Sequence, residues 1–111
     1  MSQSTAKFPV SLISWKPFAK NSLRGFATVR LGKSLKIADC GVHSSHGRRW
    51  VGMPSKPMID RDGAVVRDDR GKVKYVPLVE WTNKESADMF SEAVIEAVER
   101  EHPGATEADG T

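Results

Sequence analysis

The 111-residue chain contains one cysteine, Cys40, and no apolar run approaching the ~20 residues a membrane-spanning helix needs. A lone cysteine excludes an intrachain disulfide, which fits a reducing compartment, and Cys40 is expected to be a small core residue. Catalytic signatures are also missing: there is no Gly-x-x-x-x-Gly-Lys-Ser/Thr phosphate loop and no Gly-x-Ser-x-Gly elbow. Ser4-Thr-Ala-Lys7 matches Ser-x-x-Lys without its companion motifs, and Ser55 beside Lys56 is no dyad because adjacent side chains diverge. The expectation is a protein that is not an enzyme and needs no cofactor.

Metal ligands are equally sparse. Cys40, His43 and His46 lack a fourth partner, and residues three apart on a strand point to opposite faces. Asp60 and Asp62 before Gly63 resemble the start of a calcium loop, but Gly71 stands where the closing acid belongs, so a turn is expected. Met1–Lys7 is polar with no apolar leader core, and a cytoplasmic protein follows as the expectation.

What is scarce in the first two thirds is acid. Residues 1–74 hold fifteen Lys and Arg against five Asp, a charge of +10, whereas residues 75–111 hold two against nine acids, −7. Such a division points to a basic surface for a polyanion and an acidic surface elsewhere. The cations that would serve the first surface are Arg48, Arg49 and Lys56, with Lys33 and Lys36 on a neighbouring hairpin and Arg70, Lys72 and Lys74 further on. Lys16, Lys20, Arg24 and Arg30 extend the same set. Together they predict binding of DNA or RNA through phosphate neutralisation. Trp15, Trp50 and Trp81 are expected to pack in the core, Trp50 ahead of a role in base stacking.

The apolar pattern predicts an antiparallel meander. Strands are expected at 9–17, 24–31, 34–43 and 48–53, with turns at 32–33 and 44–47. In the first, Val10, Leu12 and Ser14 fall on one face, Ile13 and Trp15 on the other. In the third the apolar parity switches after Ile37, which a bulge would explain. Residues 58–77 read as a hairpin arm carrying two turns, Asp60-Arg-Asp-Gly63 and Asp68-Asp-Arg-Gly71. No internal repeat is evident in this reading. Thr82 and Glu85 then form a capping box for a helix whose stripe is Ala87, Phe90, Val94, Ala97 and Val98. Loose tails are expected at 1–7 and 103–111, leaving one domain over 8–102. The fold class is α+β, a small antiparallel sheet with one C-terminal helix packed on it. One helix covers one face, so a second copy is expected to cover the other face or its edge, making a homodimer.

Between the meander and the arm lies Trp50-Val-Gly-Met-Pro-Ser-Lys56, an apolar strand end that Pro54 terminates and that Pro54 and Pro57 stiffen around Lys56. This segment resembles the signature of the SpoVG (stage V sporulation protein G, septation protein) family. The likeness runs in order from about Arg24 to Glu101: the strand pair Gly25–Leu31 and Leu35–Asp39, Met-Pro-Ser-Lys, an Asp-Gly turn, and a closing helix. It implies a dimeric regulator that binds DNA and RNA and acts in sporulation, septation or gene expression. Two departures stand out. The sequence around Val66–Tyr75 is extra, and the helix end, which is often basic in the family, carries Glu96, Glu99 and Glu101 around Arg100. The expected interface therefore moves toward the sheet.

Overall fold

A computed structural model describes residues 9–107; the tail expected at 1–7 and the last four residues of the chain lie outside that range. Four antiparallel strands follow one another in sheet order: β1 (Val10–Lys20), β2 (Leu23–Leu31), β3 (Leu35–Ser45) and β4 (Arg48–Gly52). A second sheet pairs β5 (Ser55–Pro57) with β6 (Tyr75–Pro77), and α1 (Lys84–Glu101) follows. This is the expected α+β architecture. The β3–β4 hairpin closes through His46 and Gly47, whose φ angles of 51° and 78° suit a two-residue turn between twisted strands.

Two bulges set which residues face the helix. Thr28 stands opposite both Ala38 and Asp39; Asp39 takes φ 52° and donates its N–H to Thr28 Oγ1 at 3.1 Å. That is the parity switch after Ile37, and it keeps Ile37, Cys40 and Val42 buried on one side. The second bulge, at Ile13, corrects the expected phase of β1: pairing shifts between Leu12 and Ser14, so Val10, Leu12 and Trp15 all pack on the core and Ile13 is exposed.

The core lies between the sheet and α1. Phe90, Val94 and Val98 meet Ala27, Val29, Ile37, Cys40 and Val42, all buried, with Trp15 and Trp81 packed around them. Burial of such side chains is worth roughly 1.5–3 kcal/mol each and holds helix to sheet. A further tie is the Val51 N–H, which donates to Ser91 Oγ at 3.1 Å. The helix starts one residue later than expected. Asn83, not Thr82, is the cap, its Oδ1 accepting the Ser86 N–H at 2.8 Å, because an Asn side chain is an equal or better acceptor there.

The chain beyond α1 also departs from expectation, since residues 103–107 form a hook rather than a loose tail. Gly104 N–H donates to Glu99 Oε1 at 2.7 Å, Thr106 N–H and hydroxyl donate to Glu99 Oε2 at 2.9 and 2.6 Å, and Thr106 is fully buried.

In the arm, an eight-residue repeat becomes visible that the sequence reading lacks. Asp60 and Asp68 play the same part: each Oδ1 accepts the N–H groups two and four residues on, and Gly63 and Gly71 follow with φ 84° and 82°. The repeat brings Met58, Val66 and Lys74 into a closed ring of backbone hydrogen bonds at 2.8–2.9 Å: Met58 donates to Lys74, Lys74 to Val66, and Val66 to Met58. The arm is thus three short extended segments rather than a plain hairpin, which satisfies its backbone without a core of its own.

Candidate nucleic-acid interface

With Ala27, Val29, Ile37, Cys40, Val42 and Val51 turned to α1, strand alternation sends the intervening side chains to the opposite, helix-free face. Arg30 and Lys36 lie directly paired at one end of that face, and Lys16 is paired with Phe26 toward its middle. At the other end Arg48 shares a face with Trp50, its Cζ 5.8 Å from the ring centroid, within cation–π range. Aromatic rings fill the centre. Phe18 and Phe26 are 6.0 Å apart, and His43 stacks on Trp50 at 5.2 Å with planes 3° apart.

Trp50 is therefore not a core residue, contrary to the sequence expectation. Val51 takes the helix-facing position, and strand alternation turns its neighbour Trp50 out, half-buried, onto His43. Burial holds the His43 imidazole below its ordinary 6.5, so the ring is a neutral partner for stacking rather than another cation. Ser22 Oγ lies 3.0 Å from its Nδ1.

The two adjacent arginines do not form one clamp. Arg48 points to the open face, whereas Arg49 points to the helix side, donates to Thr106 Oγ1 at 3.2 Å and lies 4.0 Å from Glu99. Lys33 sits exposed in the β2–β3 turn, and Lys36 and Arg48 lie at opposite ends of β3, about 25–30 Å apart at ~3.3 Å per residue. Lys56 is exposed on β5, paired with Val76. Arg70, Lys72 and Lys74 gather with Arg67 around one groove of the arm, where Asp68 and Asp69 also lie. Hydrogen bonds from the Lys72 and Arg70 amides hold the exposed Asp68 carboxyl below its ordinary value, so it keeps its charge for the turn.

Arg30, Lys16 and the rings of Phe18 and Phe26 join the face although sequence reasoning gave them no leading place. The signal was present: once Ala27 and Val29 are buried, Phe26 and Arg30 must point the other way. Cys40 and His43 lie on opposite faces, and among the described residues no three His, Cys, Asp or Glu side chains gather as a metal site. Asp88, Glu92 and Glu96 are exposed on α1, across the sheet from the basic face. No helix among the described residues is long and apolar enough to cross a membrane. No protein-family model matches the chain, and no curated protein does.

Proposed function

We propose that this protein is a non-catalytic, SpoVG-like regulator that binds DNA or RNA in the cytoplasm. The observation that carries the reading is the division of charge across the sheet: Lys16, Arg30, Lys36 and Arg48 share the face that also presents aromatic rings, while the exposed acids of α1 lie behind it. Cations spread along one face neutralise phosphates at separated points of a bound backbone and release counterions, giving affinity that falls with salt. Arg49 belongs to the fold rather than to this contact. The Met-Pro-Ser-Lys resemblance supports the same class of ligand. A second copy is proposed to pair along β1, an eleven-residue edge strand with Ile13 46% exposed, which leaves the basic face free. Sedimentation showing only monomer at micromolar concentration refutes that pairing.

Chromatography on heparin and on mixed-sequence DNA across a salt gradient tests the main reading. Retention should weaken in Arg48→Glu and Lys36→Glu, and the log–log salt slope of binding should flatten by about 0.7–0.9 per lost phosphate contact. Early elution of the unaltered protein from both columns overturns it. The alternative is then a protein-interaction adaptor that uses the arm and acidic helix. That second reading is favoured by Leu78 and Val79, 58% and 45% exposed between β6 and α1.

A further inference from the structure

We infer that the hollow between the two sheets is a receptor for an unpaired base of single-stranded nucleic acid; the inference rests on the proposed function and names the form of ligand the open face takes. Its floor is made by what is missing. Gly41 and Gly52 are paired directly across β3 and β4 on the helix-free face, so two adjacent positions carry no side chain. Around them stand Phe26, His43 and Tyr75, with Met53 and Pro54 completing a hollow of about 660 Å³. That volume falls within the roughly 300–1,000 Å³ of small-ligand sites.

The walls suit a planar, apolar-faced guest. Phe26 is backed by Phe18 at 6.0 Å, and His43 by Trp50 in near-parallel stacking, so both rings are supported before anything binds. Tyr75 is 58% exposed and presents its ring from the arm side. Bases stack on such rings irrespective of sequence, and base–aromatic stacking commonly changes affinity about five- to hundred-fold per ring. Besides His43 and Tyr75, the polar side chains lining the hollow are Asp39 and Ser55. A carboxylate accepts hydrogen bonds, so Asp39 can receive the amino N–H of adenine, guanine or cytosine or the imide N–H of uracil or thymine.

The flanking charge fits a chain rather than an isolated base. Arg30 and Lys36 lie to one side of the hollow and Arg48 to the other, about 25–30 Å from end to end of β3. This spacing accommodates a short strand of about four nucleotides, the lower end of single-strand site sizes. A base held inside a duplex cannot enter a recess floored by strand backbone without leaving its stack. Duplex DNA would meet the same cations but leave the rings unused.

Fluorescence anisotropy with labelled ten-nucleotide single strands, DNA and RNA, and with the matching DNA duplex tests the proposal. The unaltered protein should bind a single strand at least tenfold more tightly than the duplex; tighter binding of either the DNA or the RNA strand supports the proposal and identifies the preferred backbone. Gly52→Val is the decisive variant, because a Cβ at Gly52 meets only Gly41 O, at 3.9 Å, and a β-branched residue suits a strand. It should raise the floor of the hollow against a seated base and cut single-strand affinity about tenfold or more while leaving duplex binding unchanged. Tyr75→Ala, at an exposed position, gives a second reading that does not depend on tolerance at Gly52, and it too should weaken the single strand selectively. Equal binding of single strand and duplex by the unaltered protein overturns the hollow while leaving nucleic-acid binding in place. Full single-strand preference in both variants does the same. Binding of neither ligand overturns the proposed function itself. Free guanosine or cytidine monophosphate is the remaining arm: no competition at millimolar concentration supports a chain-borne base, and competition at micromolar concentration overturns it in favour of a free nucleotide.

Discussion

Arg49 Nη1 donates to the Thr106 hydroxyl at 3.2 Å, and that hydroxyl in turn donates to Glu99 Oε2 at 2.6 Å. Strand β4, the helix and the segment after it are joined through one fully buried side chain. Thr106→Val keeps the shape but removes both roles of the oxygen. Unpairing buried or half-buried polar groups costs about 1–3 kcal/mol. The urea midpoint should fall accordingly, and a midpoint unchanged within error contradicts the latch.

Glu99 gives the same latch a pH dependence. Burial alone would raise its carboxyl, but the hydrogen bonds from Thr106 and Gly104 and the nearby Arg49 outweigh it and hold the group below its ordinary 4.5. With the folded value depressed, the contribution to stability is complete above the ordinary value and is lost as pH falls through the folded one. Urea unfolding between about pH 6 and pH 3 should show this loss. Glu99→Gln should be less stable at neutral pH and show a shallower acid slope; a slope as steep as that of the unaltered protein argues against Glu99 as its source.

Much of this fold is legible in the sequence because it follows from periodicity. Phe90, Val94, Ala97 and Val98 recur at helical spacing and are all buried, and the parity switch after Ile37 marks the Asp39 bulge. Other features are not periodic. Ile13 is as apolar as Leu12 beside it, so composition does not tell which of the two is the bulged, exposed residue. The arm repeat hides because its constant members, Asp60 with Gly63 and Asp68 with Gly71, serve backbone turns while the residues between them change chemistry. The hook depends on three hydrogen bonds converging on Glu99, a meeting that linear spacing does not encode. At the interface, alternation separates Arg48 from Arg49, but placing Trp50 outward requires knowing that Val51 packs against the core under α1. The hollow depends on Gly41 meeting Gly52, a register rather than a motif.

Cys40 should be silent toward thiol reagents in the folded protein. It is fully buried, and burial, followed by the charge of Asp39, pushes its thiol up to about 11. At pH 8 the reactive thiolate is then roughly one part in a thousand, apart from the steric barrier. Modification by iodoacetamide, followed by mass spectrometry, should be negligible without denaturant and complete in urea. Rapid native modification indicates that the sheet and α1 separate readily.

Gly25 tests how tightly β1 and β2 fit together. A Cβ there would lie 2.5 Å from Trp15 Cη2 and 2.7 Å from the carbonyl oxygen of Lys16. The ring could swing aside, but Trp15 packs against the core, and the Lys16 carbonyl belongs to a strand paired through Lys16 and Phe26. Gly25→Ala should therefore destabilise by about 1–3 kcal/mol through overpacking, despite alanine's lower unfolded-state entropy. For a domain of this size that is a drop of several degrees or more in Tm. Trp15→Leu removes the indole contact but not the carbonyl contact, so the same glycine substitution should cost less in that background without becoming neutral. Thermal melts of the four proteins in this cycle separate the two contacts: equal costs in both backgrounds would assign the whole effect to the Lys16 backbone, and no cost in either would mean that β1 moves away from β2 without penalty.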